Sequence, residues 1–127
     1  MTRANLGTLS VDQLVDRFEQ LNIALDNARW DSLGQSDHSK VNSLIYSIRD
    51  IGEELRARGR EARLALTRLY TNRNIQVRLM AAKMTLGVAP VEGRKIIEEI
   101  AASKIYPQAG DAGMTLVNLD EGVFKPT

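Results

Sequence analysis

The sequence predicts an all-α fold of about six helices. Through most of the 127 residues, apolar side chains recur at steps of three and four, which is the spacing of one helix face. Residues that favour helix ends stand between these periodic segments, with serine or asparagine before several of them and glycine after. No segment shows the strict alternation of a half-buried strand. These three observations together favour a helical protein.

The first half predicts an antiparallel helical hairpin over residues 10–58, after a loose lead-in at 1–9. Ser10 and Gln13 form a capping box, in which each side chain accepts a hydrogen bond from the other residue's backbone. Two narrow apolar seams follow, separated by the polar and glycine-containing break at 30–37, and the second ends near Gly59. The seams are Val11, Leu14, Phe18, Leu21, Leu25 and Ala28, and then Val41, Leu44, Ile48, Ile51 and Leu55.

The middle of the chain predicts a short helix at 60–70 and a second helix at 74–86. Asn74 is suited to cap the second helix, and Gly87 to end it in a left-handed conformation. This helix is apolar on two opposite faces, which is typical of a helix packed between other helices.

The last third predicts two more helices and a tail. Pro90 suits the first turn of a helix at 91–103, and Pro107 lies in the turn that follows. A final helix at 109–119 contains Gly110 and Gly113, and we expect a closely packed neighbour on that glycine face to offset their cost of about 1 kcal/mol each. Phe124 in the tail is expected to pack back onto the core.

Part of this pattern resembles known helical repeats. The run from Leu69 to Arg78, with Ala81, Ala82 and Leu86, is similar to the second helix of a HEAT repeat. The stretches NIQVRLMAAKMTL (74–86) and QAGDAGMTLVNLDEGVFKP (108–126) resemble an uncharacterised bacterial domain family of unknown function. The resemblance implies an α–α superhelix, with the N-terminal hairpin followed by one or two HEAT-like hairpins, and implies no activity.

We therefore expect a single domain over 1–127. Its predicted parts are the hairpin at 10–58, HEAT-like helix pairs at 60–119 and a C-terminal tail at 120–127.

Composition argues against most catalytic chemistry. The chain has no cysteine and a single histidine, His38, so thiolate nucleophiles, sulfur-ligated metals and histidine-based triads lack their residues. Asp111, Asp120 and Glu121 are the alternative carboxylate cluster, but Asp111 lies in a first helical turn, where a carboxylate favours the helix dipole, and Asp120 and Glu121 lie in the exit of the last helix. We expect no enzymatic activity, no cofactor and no metal.

The charge distribution supports a second hypothesis. Residues 56–95 carry ten basic and two acidic side chains, whereas the flanking segments are acidic. Arg63, Arg78 and Lys83 represent this basic segment, which would bind a nucleic-acid phosphate backbone if its cations shared one face. Solvated helix faces and ion pairs are the competing explanation, and Arg78 also resembles the HEAT arginine that joins adjacent repeats.

The preferred interpretation is a small protein-binding scaffold or regulatory protein, with an immunity-type protein as one version. Trp30 and Tyr46 are expected to be partly exposed, either as anchors for a partner or as a cover over the end of the core. The partner is unidentified; a homodimer through the seam at 41–55 is one option, and nucleic acid is the less favoured ligand. The absence of a signal-like or membrane-spanning run predicts a cytoplasmic protein with no membrane contact.

Overall fold

A computed structural model describes residues 3–31 and 38–127, and it is helical throughout. Its contacts divide the chain into two compact units, Met1–Ala65 and Leu66–Thr127. The elements are α1 (Arg3–Leu6), α2 (Val11–Asp31), α3 (Ser39–Ala57), α4 (Arg60–Leu64), a 3₁₀ helix (Ala65–Thr71), α5 (Ile75–Thr85), α6 (Pro90–Ala102) and α7 (Gln108–Asp120). No strand occurs in the two described ranges, and the predicted all-α class is confirmed.

The N-terminal unit is built on the pair α2 and α3. Its predicted capping box is confirmed, because the Ser10 backbone N–H donates to Gln13 Oε1 at 2.8 Å and the Gln13 N–H donates to Ser10 Oγ at 3.1 Å. The two apolar seams form its core, in which Leu14, Phe18 and Leu55 are fully buried. The predicted break was wrong at its start, because α2 continues through Trp30 to Asp31. The rest of that break, 32–37, lies outside the described residues.

The predicted loose lead-in was also wrong, because it contains the four-residue helix α1. Leu6 is 2% exposed, and its carbonyl accepts a hydrogen bond from the Arg58 guanidinium at 2.9 Å. Arg58 also forms an ion pair with Glu54 at 2.8 Å. A partner 52 residues away in the sequence holds this segment, so no local pattern reveals it.

The predicted helix at 60–70 is divided into two kinds of helix. Gly59 separates α3 from α4 with φ of +107°, which a side chain rarely allows, and this agrees with the predicted end of the hairpin. α4 covers only Arg60–Leu64, and the chain then tightens into the 3₁₀ helix. Such 3₁₀ segments are frequent at the ends of α-helices.

In the C-terminal unit, α5 is buried on almost every side. Val77, Leu79 and Ala81 are fully buried, and so are the polar side chains of Gln76 and Thr85. The Asn74 cap is confirmed, since its side chain accepts a hydrogen bond from the Val77 N–H at 3.1 Å.

The predicted left-handed Gly87 was wrong, because in this unit only Gly122 among the glycines has positive φ. The Thr85 carbonyl instead accepts hydrogen bonds from both Val88 N (3.0 Å) and Ala89 N (2.7 Å), so the turn after α5 closes without a left-handed residue.

α6 and α7 complete the second core. The buried cluster joins residues of α5, α6 and α7: Leu79, Ala82, Leu86, Ile97, Ile100 and Ala112. Phe124 packs against this cluster as predicted. Gly122 ends α7 with φ of +74°, and the Val123 and Phe124 N–H groups donate back to the Asn118 carbonyl.

The prediction for the glycine face of α7 was wrong. A Cβ placed on Gly110 would meet only the Tyr106 ring, at 3.7 Å, and one placed on Gly113 would meet no described atom within 4 Å. The closely approached glycine is Gly93 in α6, where a Cβ would lie 3.1 Å from Leu86 Cδ2 and 3.2 Å from the Ala82 carbonyl oxygen.

Within the described residues, none of the helices combines the length and apolar character that a membrane crossing requires.

Candidate interaction surfaces

A groove with an apolar floor runs along the N-terminal unit, where α1, α2 and α3 meet. Its volume is about 390 Å³. Leu6, Leu21 and Ile51 contribute apolar surface, while Arg17 and Asp50 stand on its sides. Asp50 forms no hydrogen bond or ion pair with another described residue, so its carboxylate is available to a bound group.

A shallower polar depression continues this groove along α3. Ser39, Asn42, Ser43 and Tyr46 line it, together with the Ser47 and Asp50 side chains that also line the groove. From Ser39 to Ile51 the helix rises about 18 Å, at 1.5 Å per residue. The two depressions therefore make one continuous surface, which we call the α3 groove.

Tyr46 and Trp30 are each 59% exposed, which confirms the predicted exposure of both aromatics. The Arg49 guanidinium carbon lies 5.4 Å from the centre of the Tyr46 ring, within the range of a cation–π contact. This contact limits the motion of an exposed ring that borders the α3 groove. Trp30 lies at the C-terminal end of α2 and is not among the residues that line the groove.

Arg63 belongs to the N-terminal unit and is only partly exposed. Burial lowers the pKa of its guanidinium from the ordinary value, the positive charge of Arg56 lowers the pKa further, and Glu53 opposes both effects. The arginine thus lies near both a like and an opposite charge.

Arg78 and Lys83 belong to the C-terminal unit, and each has an intramolecular partner. The Arg78 guanidinium donates to the carbonyls of Asn72 at 2.7 Å and Arg73 at 3.2 Å, in the turn before its own helix. These contacts tie α5 to the preceding turn, unlike the repeat-joining contact that the resemblance implied.

Lys83 Nζ lies 3.0 Å from Asp111 Oδ1, so this ion pair ties α5 to α7. Asp111 Oδ1 also accepts a hydrogen bond from the Thr115 hydroxyl at 3.3 Å.

The carboxylates considered as a cluster are divided between separate cations. Asp111 pairs with Lys83, whereas Asp120 accepts two hydrogen bonds from Arg94, at 2.9 and 3.3 Å. The hydrogen bond from Arg94 is the main reason that the pKa of Asp120 lies below its usual value. In residues 3–31 and 38–127, no group of three or more histidine, aspartate or glutamate side chains is arranged to hold a metal ion.

One buried and one partly buried polar contact hold the C-terminal unit together. The Gln108 side-chain amide donates to Gln76 Oε1 at 3.1 Å, with both residues at most 3% exposed. Tyr70 hydrogen-bonds with the Thr85 hydroxyl, which itself donates to the Ala81 carbonyl at 2.8 Å. Burial is the main cause that raises the pKa of the Tyr70 hydroxyl.

Sequence reasoning missed an exposed apolar face on α7. Tyr106, Met114 and Val117 are 62%, 60% and 48% exposed, and the glycines of α7 lie on the same side of the helix. The signal was present in the spacing, because positions 110, 113, 114, 117 and 121 share one side of a 3.6-residue wheel. It was assigned to the core because apolar helical spacing normally marks a buried face.

Comparison with known proteins agrees with this architecture. The crystal structure of the protein RPA1889 from Rhodopseudomonas palustris CGA009 superimposes with a TM-score of 0.87 and is 43% identical, covering 96% of this chain and 98% of that chain. A comparison with functionally curated proteins gives no match. Residues 12–120 match the family described as Domain of unknown function (DUF2019). Because the match spans most of the chain, this protein belongs to the DUF2019 family.

Proposed function

We propose that this chain is a small non-enzymatic scaffold that binds a segment of another protein in the α3 groove. The observation that supports the proposal is the composition of that groove, which joins an apolar floor, an unpaired carboxylate and an exposed tyrosine. Grooves between helices bind amphipathic or extended segments through apolar anchors, and tyrosine is frequent among the residues that dominate binding energy. A regulatory or immunity-type protein would act in this way, by covering a functional surface of its partner.

The side chains of the groove specify the chemistry of the segment. Leu21, Ala24 and Ile51 offer surface to one or two apolar side chains. Asp50 favours a lysine or arginine placed about one helical turn away from them, because a carboxylate shielded from water on one side attracts a cation more strongly than an exposed one. The expected partner segment is therefore short, amphipathic and basic.

The basic segment at 56–95 gives the alternative, a nucleic-acid ligand, less support. Arg58, Arg78, Lys83 and Arg94 each bond to a carboxylate or a carbonyl of their own unit. A phosphate backbone would have to displace those partners before it gained the contacts. We therefore favour a protein ligand. The expected site of action is the cytoplasm.

HEAT-like stacking of the second half is part of the same proposal. The cluster of apolar residues that joins α5, α6 and α7 supports a stack of helical hairpins, since each layer buries the next. Arg78, bonded to the turn before α5, would fix the shape of one repeat and leave the faces of the stack free for a partner.

Photocrosslinking in cells tests the groove. A benzophenone amino acid replaces Tyr46 in one variant and Ile45 in a matched control, because Ile45 is 40% exposed on the same helix but does not line the groove. We expect one discrete crosslinked protein from position 46 and none from position 45. Ser47→Arg, which fills the junction of the two depressions, should abolish that product, whereas Ser47→Ala should retain it.

Two outcomes would contradict the proposal. The first is the same set of crosslinked proteins from positions 45 and 46, which would show that the groove does not bind its own partner. The second is a crosslink from position 46 to nucleic acid, which would revive the alternative.

A further inference from the structure

The polar depression of the α3 groove carries one charged side chain among the described residues that line it. These residues are Ser39, Asn42, Ser43, Tyr46, Ser47 and Asp50. The Asp50 carboxylate forms no hydrogen bond or ion pair with another described residue. Arg17 lines the apolar part of the groove but not this depression. The depression therefore presents a single negative charge that no neighbouring cation compensates.

Asp50 and Tyr46 act on the same space because they are one helical turn apart. Side chains of a helix lean towards its N-terminus and meet the residues three and four positions earlier. Asp50 thus leans towards Tyr46 and Ser47, and all three border the depression. A cation bound there would be close to both a carboxylate and an aromatic ring.

The Tyr46 ring already attracts one guanidinium. The Arg49 guanidinium carbon lies 5.4 Å from the centre of the ring, yet Tyr46 is still more than half exposed. Arg49 and Asp50 follow Tyr46 by three and four positions, so they flank it on opposite sides around the helix. Arg49 therefore approaches from the side away from Asp50. The side of the ring towards Asp50 has room for a second guanidinium.

A guanidinium and an ammonium would use this site differently. The planar guanidinium stacks on an aromatic ring and donates two parallel hydrogen bonds to a carboxylate. Its remaining N–H groups need acceptors, and the hydroxyls of Ser43 and Ser47 border the same depression. An ammonium is a compact, strongly hydrated charge that makes neither the planar stack nor the paired hydrogen bonds.

We infer that the α3 groove selects arginine over lysine in the segment that it binds, with the guanidinium stacked on Tyr46 and paired with Asp50. This inference rests on the proposed function and identifies the basic residue of the partner segment. The apolar side chains of that segment then contact Leu21 and Ile51 in the other part of the groove. The preference for arginine should be about tenfold in Kd.

Two small cations of equal charge test the selectivity without the natural partner. The probes are n-butylguanidinium and n-butylammonium, titrated into the full chain and followed by amide NMR shifts. We expect saturable shifts at residues 42–50 with butylguanidinium and a Kd about tenfold higher with butylammonium. Both Kd values should be millimolar, because each probe has few atoms. Equal Kd values, or shifts centred on other residues, would overturn the inference.

Substitutions of the two proposed contacts sharpen the test. Tyr46→Leu should reduce the preference to about twofold because it removes the stacking surface, whereas Tyr46→Phe should retain the preference. Asp50→Asn should weaken butylguanidinium binding about tenfold. Glu53→Gln is the matched control, since Glu53 is on the same helix but lines neither depression, and it should change neither Kd. A preference that survives Tyr46→Leu in full would contradict the stacked arrangement.

The crosslinking experiment at position 46 distinguishes a failure of this inference from a failure of the proposed function. Replacing the arginine of the crosslinked segment by lysine should remove most of the product. A product that persists with lysine would overturn the arginine selectivity and leave the protein-binding groove intact. Selective binding of butylguanidinium without any crosslinked protein would support the selectivity of the site and contradict the proposed function.

Discussion

The two units of this chain reach a buried core by different means. The N-terminal unit relies on two long helices of 21 and 19 residues with apolar seams, and Asn22 is its only buried polar side chain within the described ranges. The C-terminal unit uses helices of 11 to 13 residues and buries Gln76, Thr85, Gln108 and Thr115. Long helices align enough apolar side chains to define their pairing, whereas short ones gain additional specificity from buried hydrogen bonds.

This difference also separates two kinds of surface. In the N-terminal unit, the charges beside the groove include the unpaired Asp50, which a ligand can engage. In the C-terminal unit, Lys83 and Arg94 are held by acidic partners, while the apolar side chains of Met114 and Val117 on α7 are exposed. We therefore expect the first unit to recognise a ligand through apolar contacts combined with one charge.

The largest expected effect is Phe18→Ala, which removes a fully buried ring from the N-terminal core. The free energy of unfolding of the N-terminal unit should fall by about 3–5 kcal/mol. Trp30, the single tryptophan, lies in this unit and reports its unfolding by fluorescence. A midpoint in urea unchanged from wild type would mean that the seam does not carry the stability of this unit.

The matched change in the C-terminal unit is Gln76→Leu, which leaves the Gln108 amide without this buried acceptor. We expect a loss of about 1–3 kcal/mol in the free energy of unfolding. Combining it with Gln108→Leu should cost less than the sum of the two single changes, because the second change removes the amide whose acceptor the first change takes away. Strictly additive losses in a double-mutant cycle would show that the two amides do not interact.

Gly93→Ala should destabilise by about 1 kcal/mol, because overpacking costs more than the better helix propensity of alanine contributes. The new Cβ would lie 3.2 Å from the Ala82 backbone oxygen, which cannot move without shifting α5 against α6. Thermal unfolding of Gly93→Ala and of Gly113→Ala checks this. A Cβ at position 113 would meet no described atom within 4 Å, so Gly113→Ala should raise Tm whereas Gly93→Ala should lower it.

The smallest expected effect is on the pH dependence of the C-terminal unit. Hydrogen bonds from Arg94 lower the folded-state pKa of Asp120, so the pair stabilises the folded state fully above the unfolded-state pKa of about 3.9. That contribution is lost as the pH falls from about 4 through the lower folded-state pKa. Asp120→Asn should therefore differ from wild type at pH 7 and converge with it at strongly acidic pH. A difference in stability that persists unchanged at acidic pH would argue against this ion pair.

Features that depend on neighbouring residues could be predicted from the sequence. The Ser10–Gln13 capping box and the Asn74 cap are encoded within four residues, and both were correct. Helical periodicity likewise identified the two seams and the burial of α5. Local chemistry was sufficient for these elements because each is stabilised by its own turn of helix.

Features that depend on distant residues could not be predicted. Helix α1 exists through contacts with α3, and no periodicity marks four residues. The apolar spacing of α7 indicates one apolar side but not which sides are covered, so Gly110 and Gly113 were assigned to the wrong environment. Of the candidate residues, the exposure of Trp30 and Tyr46 followed from their position near a break. The partners of Arg78 and Lys83 could be identified only from the folded structure.

The Arg58–Leu6 hydrogen bond affects the dynamics of the groove. A four-residue helix is not stable in isolation, so α1 persists only through Leu6 burial and the Arg58 contact. We therefore expect this wall of the groove to open at a lower free energy than α2 and α3. A ligand that fills the groove contacts Leu6 and shifts this local equilibrium towards the closed form. Slowed amide exchange at residues 5–9 then becomes a readout of occupancy that requires no label on the ligand.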